Sequence, residues 1–116
     1  MSIEVKHYGN GNIRRVEIKN EKGELHNTEG PAIQSWYENG QEEYRRHYVD
    51  NELYNTEGPA LHEWYENGQE YHREYHLNGK ELTKKEWEKK VNSVEIECEG
   101  KTVTISRESA KALNLI

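Results

Sequence analysis

Short runs of alternating apolar and polar residues recur along this chain, and each run ends at a turn signal. Val16-Glu17-Ile18-Lys19 alternates, as do Val94, Ile96 and Cys98 and, beyond Glu99-Gly100, Val103 and Ile105. Period-two alternation is the pattern of a half-buried strand. Two further pairs of runs, 32–38 with 41–49 and 60–66 with 69–77, flank Asn39-Gly40 and Asn67-Gly68. Asn-Gly between such runs predicts a type I′ hairpin turn, in which both central residues take positive φ. Each Thr-Glu-Gly-Pro ends a connector, since Pro31 and Pro59 lack the donor a central ladder needs and the strand must start at or after them. The prediction is an antiparallel meander of hairpins.

The hairpins are written in nearly the same words. Glu24-Leu25-His26-Asn27-Thr28-Glu29-Gly30-Pro31-Ala32 recurs as Glu52-Leu53-Tyr54-Asn55-Thr56-Glu57-Gly58-Pro59-Ala60, and Trp36-Tyr37-Glu38-Asn39-Gly40-Gln41-Glu42 as Trp64-Tyr65-Glu66-Asn67-Gly68-Gln69-Glu70, at a spacing of about 28 residues. Tyr8-Gly9-Asn10-Gly11 falls where Tyr37-Glu38-Asn39-Gly40 falls, so residues 1–24 read as a degenerate first unit. The core Trp-Tyr-Glu-Asn-Gly-Gln, its Tyr-rich strand and Leu77-Asn78-Gly79-Lys80 resemble the MORN-like repeats of the YwqK-type antitoxin family and of small phage-encoded proteins, over roughly residues 7–82. The resemblance implies a binding scaffold rather than a reaction, because such units serve many functions.

A two-residue turn in the second unit would set Trp64 opposite Tyr71 and Ala60 opposite Tyr75, with Trp64, Tyr71, Tyr75 and Leu77 on one face. Gln41-Glu42-Glu43 precedes Tyr44 with one residue more than Gln69-Glu70 before Tyr71. A bulge near Gly40 to Glu43 is therefore expected, returning Trp36, Tyr44 and Tyr48 to the matching face and leaving Ile33, Tyr37, Leu61 and Tyr65 on the other. Both faces then carry aromatics, and one is left for the C-terminal segment or a partner.

Beyond Leu82 the period changes. Thr83-Lys84-Lys85-Glu86 is a capping box, and Trp87 and Val91 follow at i,i+4, which predicts a helix from Lys84 to about Val91. The alternating runs 94–98 and 103–105 form a further hairpin, and Ser106 caps a last helix, Arg107 to Leu113, with Ala110 and Leu113 facing inward. The tail resembles a small module of phage proteins. The division is residues 1–82 as the mainly β repeat sheet and 83–116 as a helix, hairpin and helix appendage.

Composition narrows the function. The chain has 116 residues, no Phe, one third charged residues and net charge −6, so its core is thin and phosphate-backbone binding is not its main activity. Cys98 is the lone cysteine, expected as a buried inert thiol in a reducing compartment. No apolar run reaches the length of a membrane span, and the expectation is a cytoplasmic protein that binds neither membrane nor nucleic acid directly.

Candidate chemistry is sparse. His72 and His76 have helical zinc-ligand spacing, but on a strand the two rings are expected about 14 Å apart, too far for one ion. No metal site, cofactor or catalytic group is expected. The partner-binding candidates are Trp36, Tyr37, Tyr44, Arg45, Tyr48, Trp64, Tyr65, Tyr71, Arg73 and Tyr75, because Trp, Tyr and Arg bury large area at small entropic cost. The leading reading is a non-catalytic inhibitor docking on a host or toxin protein. The alternative is a binder of a nucleotide signal, stacked on rings with Arg45 or Arg73 on its phosphate. A homodimer through an open face or through Leu115 and Ile116 is also compatible.

Overall fold

The structure is a computed structural model that describes residues 1–114, except the side chains of Val94, Ile96 and Cys98. The buried thiol expected at Cys98 and the candidate dimer contact at Leu115 and Ile116 lie outside the described residues. The chain forms two compact units, Met1–Leu82 and Thr83–Ile116.

The first unit is a seven-stranded antiparallel meander sheet. Its hairpins are β1 (Ser2–His7) with β2 (Ile13–Lys19), β3 (Ile33–Trp36) with β4 (Glu42–Arg46), and β7 (Leu61–Trp64) with β8 (Glu70–Leu77). The order is β1-β2-β3-β4-β7-β8-β9, with β9 (Lys80–Leu82) on the last half of β8. Between β4 and β7 the chain leaves the sheet in a small hairpin, β5 (Tyr48–Val49) with β6 (Glu52–Leu53). The arm expected to run unbroken to residue 49 is thus interrupted at His47, whereas β8 continues to Leu77.

The turns differ from the expected type. At Asn39-Gly40 and Asn67-Gly68 only the glycines have positive φ, +90° and +91°. Each is a type I turn closed by a left-handed glycine, the three-residue hairpin loop with its built-in bulge. The asparagine has another role: Asn39 Oδ1 accepts from the N–H of Gln41 and Asn67 Oδ1 from that of Gln69, both at 2.9 Å. Paired positive φ values occur instead at Asp50-Asn51, Asn78-Gly79 and Glu99-Gly100.

The register also corrects the expected faces. Ser35 pairs with Tyr44 and Trp36 with Glu42, so Glu43 is the bulged residue; Glu63 pairs with His72 and Trp64 with Glu70, so Tyr71 is. β1 and β2 skip Arg14 in the same way. The second and third hairpins therefore share one register with no extra residue, and the aromatic has moved: Tyr44 aligns with His72, and Glu43 with Tyr71. Ile33, Ser35, Tyr44, Arg46, Leu61, Glu63, His72 and Glu74 share one face, while Gln34, Trp36, Glu42, Arg45, His62, Trp64, Glu70 and Arg73 share the other. Tyr44 is thus opposite Trp36, not beside it.

The packing is thin, as the composition requires. Among the described residues no large side chain is fully buried; Ala32 and Ala60 are, each directly after a proline. The Ala32 N–H donates to the Arg46 carbonyl and its own carbonyl accepts from Ile18; Ala60 links Glu74 and His47 in the same way. Bonding on both sides leaves room for a methyl group and little more. The connectors are held by their asparagines: Asn27 Nδ2 donates to the Pro31 carbonyl and Asn55 Nδ2 to that of Pro59, both at 3.0 Å.

In the second unit α1 (Lys84–Val91) starts at the expected capping box, with the Glu86 N–H on Thr83 Oγ1 and the Thr83 N–H on Glu86 Oε1, each 3.1 Å. β10 (Ser93–Cys98) pairs with β11 (Lys101–Ser106), and Ser106 caps α2 (Arg107–Ala112). Ala110 is buried as expected. Leu113 is not; it is 64% exposed at the helix end. No helix among the described residues is long and apolar enough to cross a membrane.

Candidate partner-binding groove

The three Tyr-x-Asn-Gly turns stand in a row and are joined by their tyrosines. In each, the tyrosine N–H bonds the carbonyl four residues on and its carbonyl accepts from the glycine N–H, which fixes where the ring leaves the sheet. The Tyr8 hydroxyl donates to the Trp36 carbonyl at 2.6 Å and the Tyr37 hydroxyl to the Trp64 carbonyl at 2.8 Å. Tyr65 stands at the end of the row, and its hydroxyl meets no such carbonyl among the described residues. Its ring lies edge-on to Tyr71 instead, with centroids 5.0 Å apart.

These rings border an open groove of about 550 Å³ lined by Tyr37, Glu43, Tyr44, Arg46, Glu63, Trp64, Tyr65 and Tyr71. Tyr65 and Tyr71 are 51% and 58% exposed. The Arg46 guanidinium lies 4.2 Å over the Tyr44 ring and donates to Glu63 at 3.1 Å. Glu43 accepts from the Ser35 hydroxyl at 2.8 Å and meets no cation among the described residues. Burial first, then the carboxylates of Glu43, Glu66 and Glu63, push the Tyr37 phenol above its ordinary range.

The structure separates the ten residues singled out from the sequence. Tyr37, Tyr44, Tyr65 and Tyr71 border the groove; Trp64 is also in its lining, although its ring, stacked on His62 and lying under Arg45, belongs to the opposite face. Trp36, Arg45 and Arg73 are on the other face, with Tyr75 beside Arg73, and Tyr48 is in the β5–β6 hairpin. Arg45 grips Glu42, at 2.6 Å and 3.2 Å, and lies 5.3 Å over Trp64. Arg73 grips Glu70 in the same fork and holds that carboxyl down to about 2. His62 stacks on Trp64 with centroids 4.0 Å apart, and burial lowers its pKa. Its Nε2 comes within 3.4 Å of Glu70 without hydrogen-bond geometry.

Glu43, Arg46 and Glu63 are groove residues that sequence reasoning missed. The signal was present: aligned on the turn glycines without a gap, Arg14, Glu43 and Tyr71 fall at one position, the bulge beside the turn tyrosine. There Arg14 lies 5.8 Å over Tyr8, Glu43 acts on Tyr37, and Tyr71 packs on Tyr65.

Two other clusters stand outside this groove. Glu74 joins His72 Nε2 at 2.7 Å and His76 Nε2 at 2.8 Å, which holds its carboxyl below the usual range and raises the His72 pKa. Ligand atoms of Glu74, His76 and Glu81 all lie within 4.8 Å of one another. The rings of His72 and His76 are therefore not about 14 Å apart, as strand rise had them; both lean onto one carboxylate. A second cavity, about 480 Å³, lies between the Asn27 and Asn55 connectors, with His47 in its wall. Burial, then the Arg45 charge, lowers the His47 pKa.

The chain matches no protein-family model, no curated protein and no solved structure. Its function is therefore read from the chemistry of these sites.

Proposed function

We propose that this chain is a non-catalytic protein-binding inhibitor, built on MORN-like hairpin repeats and phage-encoded, that docks on a host defence protein or a toxin in the cytoplasm and blocks it. The observation that carries the reading is the groove at the end of the tyrosine row, where Tyr65 and Tyr71 stay more than half exposed beside half-buried Tyr37 and Tyr44. Paired exposed rings over a rigid sheet are the composition of an interface hot spot.

The nucleotide alternative is weaker on two counts. Arg45 and Arg73, which it assigns to phosphate, are each forked onto a glutamate on the face away from the groove. The groove itself presents two carboxylates, and its one arginine is already paired with Glu63. Self-association through the free edge of β1 is opposed by Glu4 and Lys6, charges of the kind that keep edge strands apart.

The test is capture of a partner by the full chain from host lysate, repeated with Tyr65→Ala/Tyr71→Ala. The reading requires one stoichiometric protein, lost in the double variant while the fold persists.

A further inference from the structure

We propose that the groove receives a basic side chain, arginine or lysine, presented by the partner. This rests on the groove being the partner-binding surface and adds the chemistry of what enters it.

The groove already shows how it holds a guanidinium. Arg46 rests on the Tyr44 ring at 4.2 Å and donates to Glu63 at 3.1 Å, so one aromatic face and one carboxylate hold it while its Nε meets no partner among the described residues. The remaining wall repeats these parts. Tyr65 and Tyr71 offer ring faces and edges, and Glu43 offers a carboxylate whose one hydrogen bond comes from a neutral hydroxyl. A ring attracts a cation through its quadrupole, and a carboxylate matched by no cation adds a Coulomb term.

The charge balance has the required sign. Arg46 and Glu63 cancel, which leaves Glu43 in the groove and Glu66 in the adjoining turn, and both carboxylates add, after burial, to the rise of the Tyr37 phenol. The first hairpin gives an independent internal parallel, since its bulge residue is Arg14, set 5.8 Å over Tyr8. The position that the first hairpin fills with its own arginine is a tyrosine in the last. Phosphate and acidic peptides would meet the same field with the wrong sign, and the chain's net charge of −6 adds to that at long range.

The test is a ring-resolved NMR titration of the full chain with four probes: blocked arginine amide, blocked lysine amide, blocked glutamate amide and AMP. The arginine and lysine probes are expected to shift the Tyr65 and Tyr71 ring signals saturably, at about millimolar concentration, while glutamate and AMP leave them in place. Tyr71→Ala should weaken the arginine probe about two- to fivefold. Glu43→Gln, which keeps shape and hydrogen bonding, should weaken it by a similar factor, about two- to fivefold. Tyr71 is in an exposed bulge, so its removal leaves the ladder intact, and Glu43→Gln supplies a second variant if it does not. Absence of saturable binding by both basic probes, or equal binding of AMP, overturns the proposal.

Partner capture run alongside keeps the two ideas apart. A partner lost with Tyr71→Ala but indifferent to Glu43→Gln, with no basic probe bound, sinks the basic side chain and leaves the inhibitor reading standing. Basic probes bound without any captured protein do the reverse.

Discussion

The hydroxyl of Tyr37 donates to the main-chain carbonyl of Trp64, 2.8 Å away, and so ties the tip of one hairpin to the first strand of the next. Tyr8 makes the equivalent bond to Trp36. With so little apolar burial, such bonds between hairpins are a substantial part of what holds the sheet in register. Tyr37→Phe and Tyr8→Phe should each destabilise the chain by about 1 kcal/mol in urea unfolding, the ordinary net value of a hydrogen bond. Tyr65→Phe, with no carbonyl to lose, should leave stability unchanged.

Ala32 and Ala60 are fully buried between strands that bond them on both sides. Enlarging either is expected to destabilise more than any change at an exposed ring. Ala60→Leu should cost about 1–3 kcal/mol through overpacking, read as a lower midpoint in urea. Ala60→Ser, close in volume, should cost less.

Acid should act on the first unit through two opposed sets of groups, of which the depressed set weakens it. His47 and His62 have pKa values below their ordinary 6.5, so each contributes stability that is complete above 6.5 and lost as pH falls through the folded value. Glu74 is also depressed, and its contribution is complete above 4.5 and lost as pH falls through its own folded value. His72 is raised by Glu74, so its contribution runs the other way, complete below 6.5 and lost as pH rises through the folded value. His47→Gln should therefore flatten the fall in Tm between about pH 7 and about pH 5, while His72→Gln should steepen it.

Arg45 and Arg73 serve as internal struts. Arg45→Ala and Arg73→Ala should keep partner capture intact, because both guanidinium groups are forked onto Glu42 and Glu70 away from the groove. Arg73→Ala should also let the Glu70 carboxyl rise from about 2 toward 4.5, visible by NMR titration.

Much of the fold was legible because its signals are local. The glycine of each Asn-Gly turn, the Thr83 capping box, the Ser106 cap and the proline-started strands each depend on a few neighbouring residues. The candidate site was less so, because a bulge reverses every side chain beyond it. Reading Gln41-Glu42-Glu43-Tyr44 against Gln69-Glu70-Tyr71 as an insertion puts Tyr44 with Trp36; the constant spacing from Gly40 and Gly68 puts it with Glu63 and Arg46. The joining of His72 and His76 by Glu74 was illegible for another reason: strand rise fixes where backbones stand, not where long side chains converge.

The most direct test of the groove as the binding surface is partner capture by three forms of the full chain, analysed for bound protein and for small molecules released on denaturation. The unaltered chain and Arg45→Ala/Arg73→Ala should retain the same stoichiometric protein, and Tyr65→Ala/Tyr71→Ala should lose it with Tm unchanged. Retention by all three forms, or release of a nucleotide with no protein bound, would contradict the account.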